Sequence, residues 1–231
     1  GASVVAQRAS ASASSPTDVT ARPPADRVCS SSNSGCGTVA ERRYDVDPRR
    51  VAARLERVRE RIAELGRDPG EVEILVATKY VACEQMPLLA EAGVRLVGEN
   101  RAQDLVAKQE AHGELFEWDF IGVLQSRKVR TVAPRVRLIH SLASESALRE
   151  LERYPARAVL VQVNVAGEEG KAGIAPQRLG EFLARCPAPV AGLMTMPPLA
   201  DTPERNRRWF RALRELAERH GLRTLSMGTS Q

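Results

Sequence analysis

The chain has 231 residues, 43% hydrophobic and 27% charged, with only 4% aromatic side chains and a formal net charge of +5. That suits one large domain with a core of Leu, Val, Ile and Ala, and no apolar run approaches the ~20 residues of a bilayer span. The positive charge is mostly Arg interleaved with Glu, as in Arg54-Leu-Glu-Arg-Val-Arg-Glu60, a pattern of ion-paired helix faces rather than of a nucleic-acid stripe.

Residues 1–43 are small and polar. The stretches Arg8-Ala-Ser-Ala-Ser-Ala-Ser-Ser-Pro16 and Cys29-Ser-Ser-Ser-Asn-Ser-Gly-Cys-Gly37 show no periodic apolar face. They cannot bury enough surface to offset their ordering entropy, so the whole segment is expected to be disordered. Its Ser-rich, Arg-containing, acid-poor composition also resembles a transit peptide; a plain tail is the simpler reading.

The ordered domain is expected over 44–231. Asp47-Pro48 is an N-cap followed by proline at the first helical position. Val51, Leu55, Val58, Ile62 and Leu65 then recur at helical spacing, and Gly66 marks the stop. Beyond it, short apolar runs at 73–78, 95–97, 118–122, 137–141, 158–165, 190–196 and 224–227 alternate with amphipathic stretches such as 84–92, 101–110, 147–153 and 203–220. Seven strands separated by helices imply parallel pairing with helical crossovers. No Gly-x-Gly-x-x-Gly turn follows the first strand, which favours a (β/α) barrel over a nucleotide-binding open sheet.

Barrel enzymes carry their chemistry at the C-terminal ends of strands. Lys79 stands there after Ile74-Leu-Val-Ala-Thr78, either as an ordinary solvent-reaching lysine or as a desolvated amine able to attack an aldehyde. Ser226-Met-Gly-Thr-Ser230 offers hydroxyls and a close-approach glycine to a phosphate, or is a plain strand-to-helix turn. Asn164 and Lys171 follow the most strand-like run, and Lys171 is either a second amine at the mouth or a solvated loop lysine. The four cysteines form no CxxC pair and no metal-ligand spacing, and read as reduced thiols of a cytoplasmic protein with no metal. His140 ends a strand without an assigned role, and Glu99 and Asp119 are not placed as a hydrolytic pair.

Several ordered motifs together resemble the pyridoxal phosphate homeostasis protein family, whose members share the barrel of the alanine racemase N-terminal domain. They are Val76-Ala-Thr-Lys79; Gly98-Glu-Asn-Arg101 with Gln103; Phe120-Ile-Gly-Val-Leu-Gln125 with Lys128; Gln162-Val-Asn164 through Glu168, Lys171 and Gly173; Gly192-Leu-Met-Thr-Met196; and Ser226-Met-Gly-Thr-Ser230. The resemblance implies a (β/α)8 TIM-type barrel that binds pyridoxal 5′-phosphate. Lys79 would be the Schiff-base lysine, Asn100 and Met194 would lie near the ring, and Ser226, Gly228, Thr229 and Ser230 would hold the phosphate. Asn164 would line the same mouth, and Lys171 would receive or relay the cofactor.

The function implied is a carrier or buffer of the cofactor without established turnover. It would act as a monomer and hand the cofactor to apo-enzymes. An amino-acid racemase or decarboxylase of the same barrel class is the alternative. A third reading, binding of nucleic acid through the basic stretch 127–137, has no recognition motif behind it. Two positions depart from the family, which usually has His where Asp119 stands and Asn where Arg127 stands. The family also continues into an eighth strand with an Arg-x-Gly-Thr motif. The chain is therefore expected to be a fragment truncated after its seventh strand, leaving open edges on the first and seventh.

Overall fold

Seven parallel strands alternate with helices, and one antiparallel strand closes them into a ring. The computed structural model describes residues 4–8, 45–198 and 203–228, with backbone alone for 4–8 and Pro203. Strand β1 (Val4–Arg8) is followed by helix α1 (Pro48–Glu64), β2 (Val72–Ala77), α2 (Met86–Glu91), β3 (Leu96–Glu99), α3 (Ala102–His112) and β4 (Glu117–Phe120). Then come α4 (Ser126–Val132), β5 (Leu138–Leu142), α5 (Glu145–Arg153), β6 (Val159–Gln162), α6 (Leu179–Ala184), β7 (Val190–Thr195), α7 (Pro203–Arg219) and β8 (Thr224–Met227). The strands run β1 to β8 around a closed barrel.

The expected parallel sheet is present as β2 to β8. Disorder throughout 1–43 does not hold for Val4–Arg8. Ala6 of β1 stands opposite Ile74 of β2 and Met227 of β8, so both expected open edges are paired. The remainder of 1–43 lies outside the described residues. The run at 158–165 is shorter as a strand than its apolar pattern predicts. Past Gln162 the chain turns to its own loop, where Val163 bridges Ile174 and Asn164 N–H donates to Ile174 O.

Local chemistry explains the element ends. Asp47 accepts from the N–H groups of Arg49 and Arg50, capping α1 ahead of Pro48. Leu65, expected on the apolar face, is already the C-cap residue and stands exposed. A Cβ at Gly192 would fall 1.8 Å from Thr224 O, so only glycine allows β7 and β8 to lie this close.

Apolar side chains fill two regions. Val76, Val97, Phe120, Ile139, Val161 and Leu193 point outward and pack under the helices in the main core. Inside the barrel, Leu138, Leu160 and Met194 form a small cluster. Buried polar groups share that interior: Asp119, His140, Gln162 and Ser226. The period-two alternation of β4, β5, β6 and β8 sends them there.

Candidate functional site

Lys79 sits two residues past the end of β2, half-buried, with no hydrogen bond or ion pair among the described residues. Thr78 before it turns toward the helix layer. Its Oγ1 donates to Glu99 Oε1 at 2.6 Å and its N–H donates to Gly98 O at 3.0 Å. Lys79 itself already lies in the turn that follows β2. Tyr80 lies beyond the strand, where strict alternation no longer applies, and its ring centroid stands 5.0 Å from Lys79 Nζ.

Lys108 of α3 fastens this strand end from beneath. Its Nζ donates to Glu99 Oε1 at 2.5 Å and to Thr78 O at 2.8 Å, with both side chains buried. Sequence reasoning missed Lys108, although a signal was available. Ala102, Leu105 and Lys108 form the buried stripe of α3 at spacings of three, so a charge lies on a core face.

The register Ala77 to Gly98 puts Asn100 beside Lys79 on the next strand end. The side-chain oxygen of Asn100 is buried and has no partner among the described residues. Gly122 makes this possible, because a Cβ there would lie 2.0 Å from Asn100 O.

A second polar assembly runs through the barrel itself. Arg137, just before β5, donates Nε to Asp119 Oδ1 at 3.1 Å and Nη2 to Asp119 Oδ2 at 2.8 Å; its Nη1 meets Glu73 Oε1 at 2.6 Å. His140 Nε2 lies 3.0 Å from Asp119 Oδ2, and His140 Nδ1 lies 2.9 Å from Ser226 Oγ. Burial pushes the Asp119 carboxyl up, but the hydrogen bonds and charges of His140 and Arg137 outweigh it and hold the group below the usual carboxylate range. Arg137 is driven further toward its charged form by Asp119 and Glu73, against the effect of its own burial. Asp119, where the family usually has His, is thus tied to Arg137 and His140. It also takes Arg137 out of the basic stretch 127–137 and turns it inward.

The other candidates separate. Met194 pairs with Ser226 across β7 and β8, and Gln162 pairs with Met194 on the other side, so these three share one level of the barrel. Gly228 follows β8, while Thr229 and Ser230 lie outside the described residues. The side chain of Asn164 is engaged by its own loop. Its Nδ2 donates to Glu168 O at 2.8 Å and its Oδ1 accepts from Glu168 N–H at 3.2 Å. Lys171 is exposed and ion-paired with Glu168 at 2.6 Å. A cavity of about 430 Å³ opens at the ends of β4, β5 and β6, lined by Leu124, Arg127, Ser141, Ser144, Gln162 and Gly173 among others, without Lys79.

The profile of the alanine racemase N-terminal domain matches residues 46–231. Pyridoxal phosphate homeostasis proteins align over most of the chain. The Aquifex aeolicus protein is 38% identical over 179 residues, covering 73% of this chain and 78% of its own length. The Pseudomonas aeruginosa protein is 35% identical, covering 78% and 84% respectively. The chain belongs to the pyridoxal phosphate homeostasis protein family. Among solved structures, PipY of Synechococcus elongatus with PLP bound superimposes with a TM-score of 0.60 at 26% identity, over 75% of this chain and 85% of PipY. The Corynebacterium glutamicum alanine racemase, at 18% identity and a TM-score of 0.50, shares the fold alone.

Proposed function

We propose that the chain binds pyridoxal 5′-phosphate covalently through Lys79 and carries or buffers it, acting in cofactor homeostasis rather than in turnover. The observation that carries this reading is the amine of Lys79, which has no ionic partner among the described residues and lies in register with the orphaned oxygen of Asn100. A partly desolvated primary amine of this kind suits condensation with an aldehyde, with loss of one water. The names of the relatives and the PLP-bound PipY structure support the choice of aldehyde.

The donor set fits that group. Lys108 and Glu99 fix the backbone just before Lys79, which limits where its amine reaches. Asn100 presents a buried acceptor toward the ring, with Met194 as an apolar neighbour in the barrel. Ser226 and the backbone at Gly228 are the proposed phosphate contacts, and Thr229 and Ser230 follow them in sequence. Lys171 and Asn164 belong to a loop at the rim, and we assign them to cofactor entry and release. Apo-enzymes are the proposed recipients, and a monomer the proposed form.

The test is direct. The protein is mixed with pyridoxal phosphate, reduced with borohydride and mapped by peptide mass. Modification of Lys79 is expected, with loss of binding in Lys79→Ala. Label fixed on another residue, or undiminished binding by the variant, overturns the reading.

A further inference from the structure

The cavity of about 430 Å³ at the ends of β4, β5 and β6 has no part in the chemistry proposed for Lys79, which does not line it. Its volume lies within the usual range for pockets that take small organic ligands. It opens where strand ends meet the loops that follow them, the side of a barrel on which small molecules bind. Among the described lining residues Arg127 alone is charged, and none is acidic.

The guanidinium of Arg127 is free to act on a ligand. Its Nε donates to Gln125 Oε1 at 3.2 Å, and no carboxylate pairs with it among the described residues. The two Nη groups remain as a planar fork. Ser144 and Ser146 bring hydroxyls from the start of α5, with their oxygens 3.3 Å apart. Ser144 Oγ accepts from the N–H of Ala147 at 3.2 Å, which caps that helix and leaves the hydroxyl hydrogen to give. The positive end of the helix dipole lies at the same place. The acidic residue of that turn, Glu145, is taken by Arg185 at 2.5 Å and is not part of the lining.

Other polar groups of the lining are spent within the protein. Ser141 Oγ donates to Gly122 O, and Gln162 Nε2 donates to Ala172 O at 3.1 Å. Val123, Leu124 and Ala143 supply an apolar wall. Val123 is 62% exposed, a large apolar side chain left to water in the free protein. A bare inorganic anion would cover neither that wall nor the volume. One guanidinium balances one negative charge, and its fork matches the two oxygens of a carboxylate.

We propose that this cavity is a binding site for a small aliphatic carboxylate. Arg127 and the hydroxyls of Ser144 and Ser146 hold its oxygens, and its chain lies against Val123, Leu124 and Ala143. No covalent bond forms, and the site does not depend on the function proposed above. Arg127 stands where the family usually has Asn, an uncharged residue, so Arg127→Asn removes the charge with a side chain the fold accommodates.

The test is a titration of the isotope-labelled full chain with butyrate, followed through its amide resonances. Acetate, butyramide and methyl phosphate serve as comparisons. Saturable shifts are expected around Ser126, Arg127, Ser144 and Ser146. Butyrate should bind about tenfold more tightly than acetate, for its two further methylenes, and butyramide should not bind. Arg127→Asn should weaken butyrate about fivefold, a modest factor because the guanidinium is partly in water. Ala143→Leu, which fills the apolar part, should weaken butyrate more than acetate.

Shifts centred on Lys79 and Asn100, equal binding of butyramide, or an unchanged affinity in Arg127→Asn overturns the proposal. Absence of saturation overturns it as well. Methyl phosphate bound more tightly than butyrate would make this a phosphate-ester site and overturn the carboxylate assignment. If Ala143→Leu does not fold, the ratio of butyrate to acetate in the unmodified protein decides the role of the apolar wall.

Discussion

Lys108 and Glu99 form an enclosed ion pair, Nζ to Oε1 at 2.5 Å, and the same ammonium reaches the carbonyl of Thr78 immediately before Lys79. Removing one partner strands the other charge in the core. Lys108→Met is expected to lower stability by about 3–5 kcal/mol in denaturant unfolding. The double variant Lys108→Met with Glu99→Leu should recover part of that loss, since no charge is then left unpaired. A double variant as unstable as the sum of its single changes would show that the pair does not act as a unit.

Lys79 differs in this respect, because its amine makes no hydrogen bond or ion pair among the described residues and meets only the ring of Tyr80. Lys79→Ala should leave the unfolding midpoint within the range of surface substitutions, about 0.5 kcal/mol, while abolishing borohydride-trapped cofactor. A large loss of stability would mean that the lysine serves the fold.

The seven parallel strands were legible in the sequence because each apolar run is bounded by an amphipathic stretch long enough for a crossover. Closure was not legible. Val4–Arg8 is a strand because ladder partners exist on both sides of it, in β2 and β8, and that context is tertiary. The motifs drew attention to Lys79, Asn100, Met194 and Ser226, which the strand order brings to one barrel. They gave no hint that the side chain of Asn164 is spent on Glu168. The line from Arg137 to Ser226 escaped notice because it depends on register across β4, β5 and β8, and one residue of slip would point each group away. Asp119 between Trp118 and Phe120 was the visible trace of it, a charge inside a buried strand.

Asp119 also sets an acid limit. Its pKa in the folded protein lies below the ordinary value of about 3.9. The stability it contributes is therefore complete above about pH 4 and is lost as pH falls through the lower folded value. Asp119→Asn should be less stable at neutral pH by about 1.5–3 kcal/mol, the worth of hydrogen bonds to a charged group. The gap should narrow in acid. Stability curves that stay parallel down to the acid transition would remove Asp119 from this role.

Gly122 is a position where one methyl group should disturb the cofactor site at a distance. A Cβ there meets the backbone of Asn100 at 2.0 Å, so Gly122→Ala must push that strand end away. Cofactor affinity is expected to fall at least tenfold with the imine still on Lys79, and stability to fall by about 1–3 kcal/mol. An unchanged affinity would show that the placement of Asn100 beside Lys79 is not needed.

The pairing of Val4–Arg8 on both edges predicts a penalty for proline in that strand. Proline at Ala6 has no N–H to give and cannot sit between two paired neighbours without a bulge. Ala6 faces Ile74 on one side and Met227 on the other, so displacement of β1 uncovers β2 and β8 together. Their unpaired N–H and C=O groups would then be templates for a second chain. Ala6→Pro is expected to cost about 1–3 kcal/mol in unfolding experiments, to speed amide exchange along β2 and β8, and to raise the apparent mass in sedimentation as concentration increases. A variant that remains as stable, as protected and as dispersed as the parent would mean that the barrel does not depend on this strand for its closure.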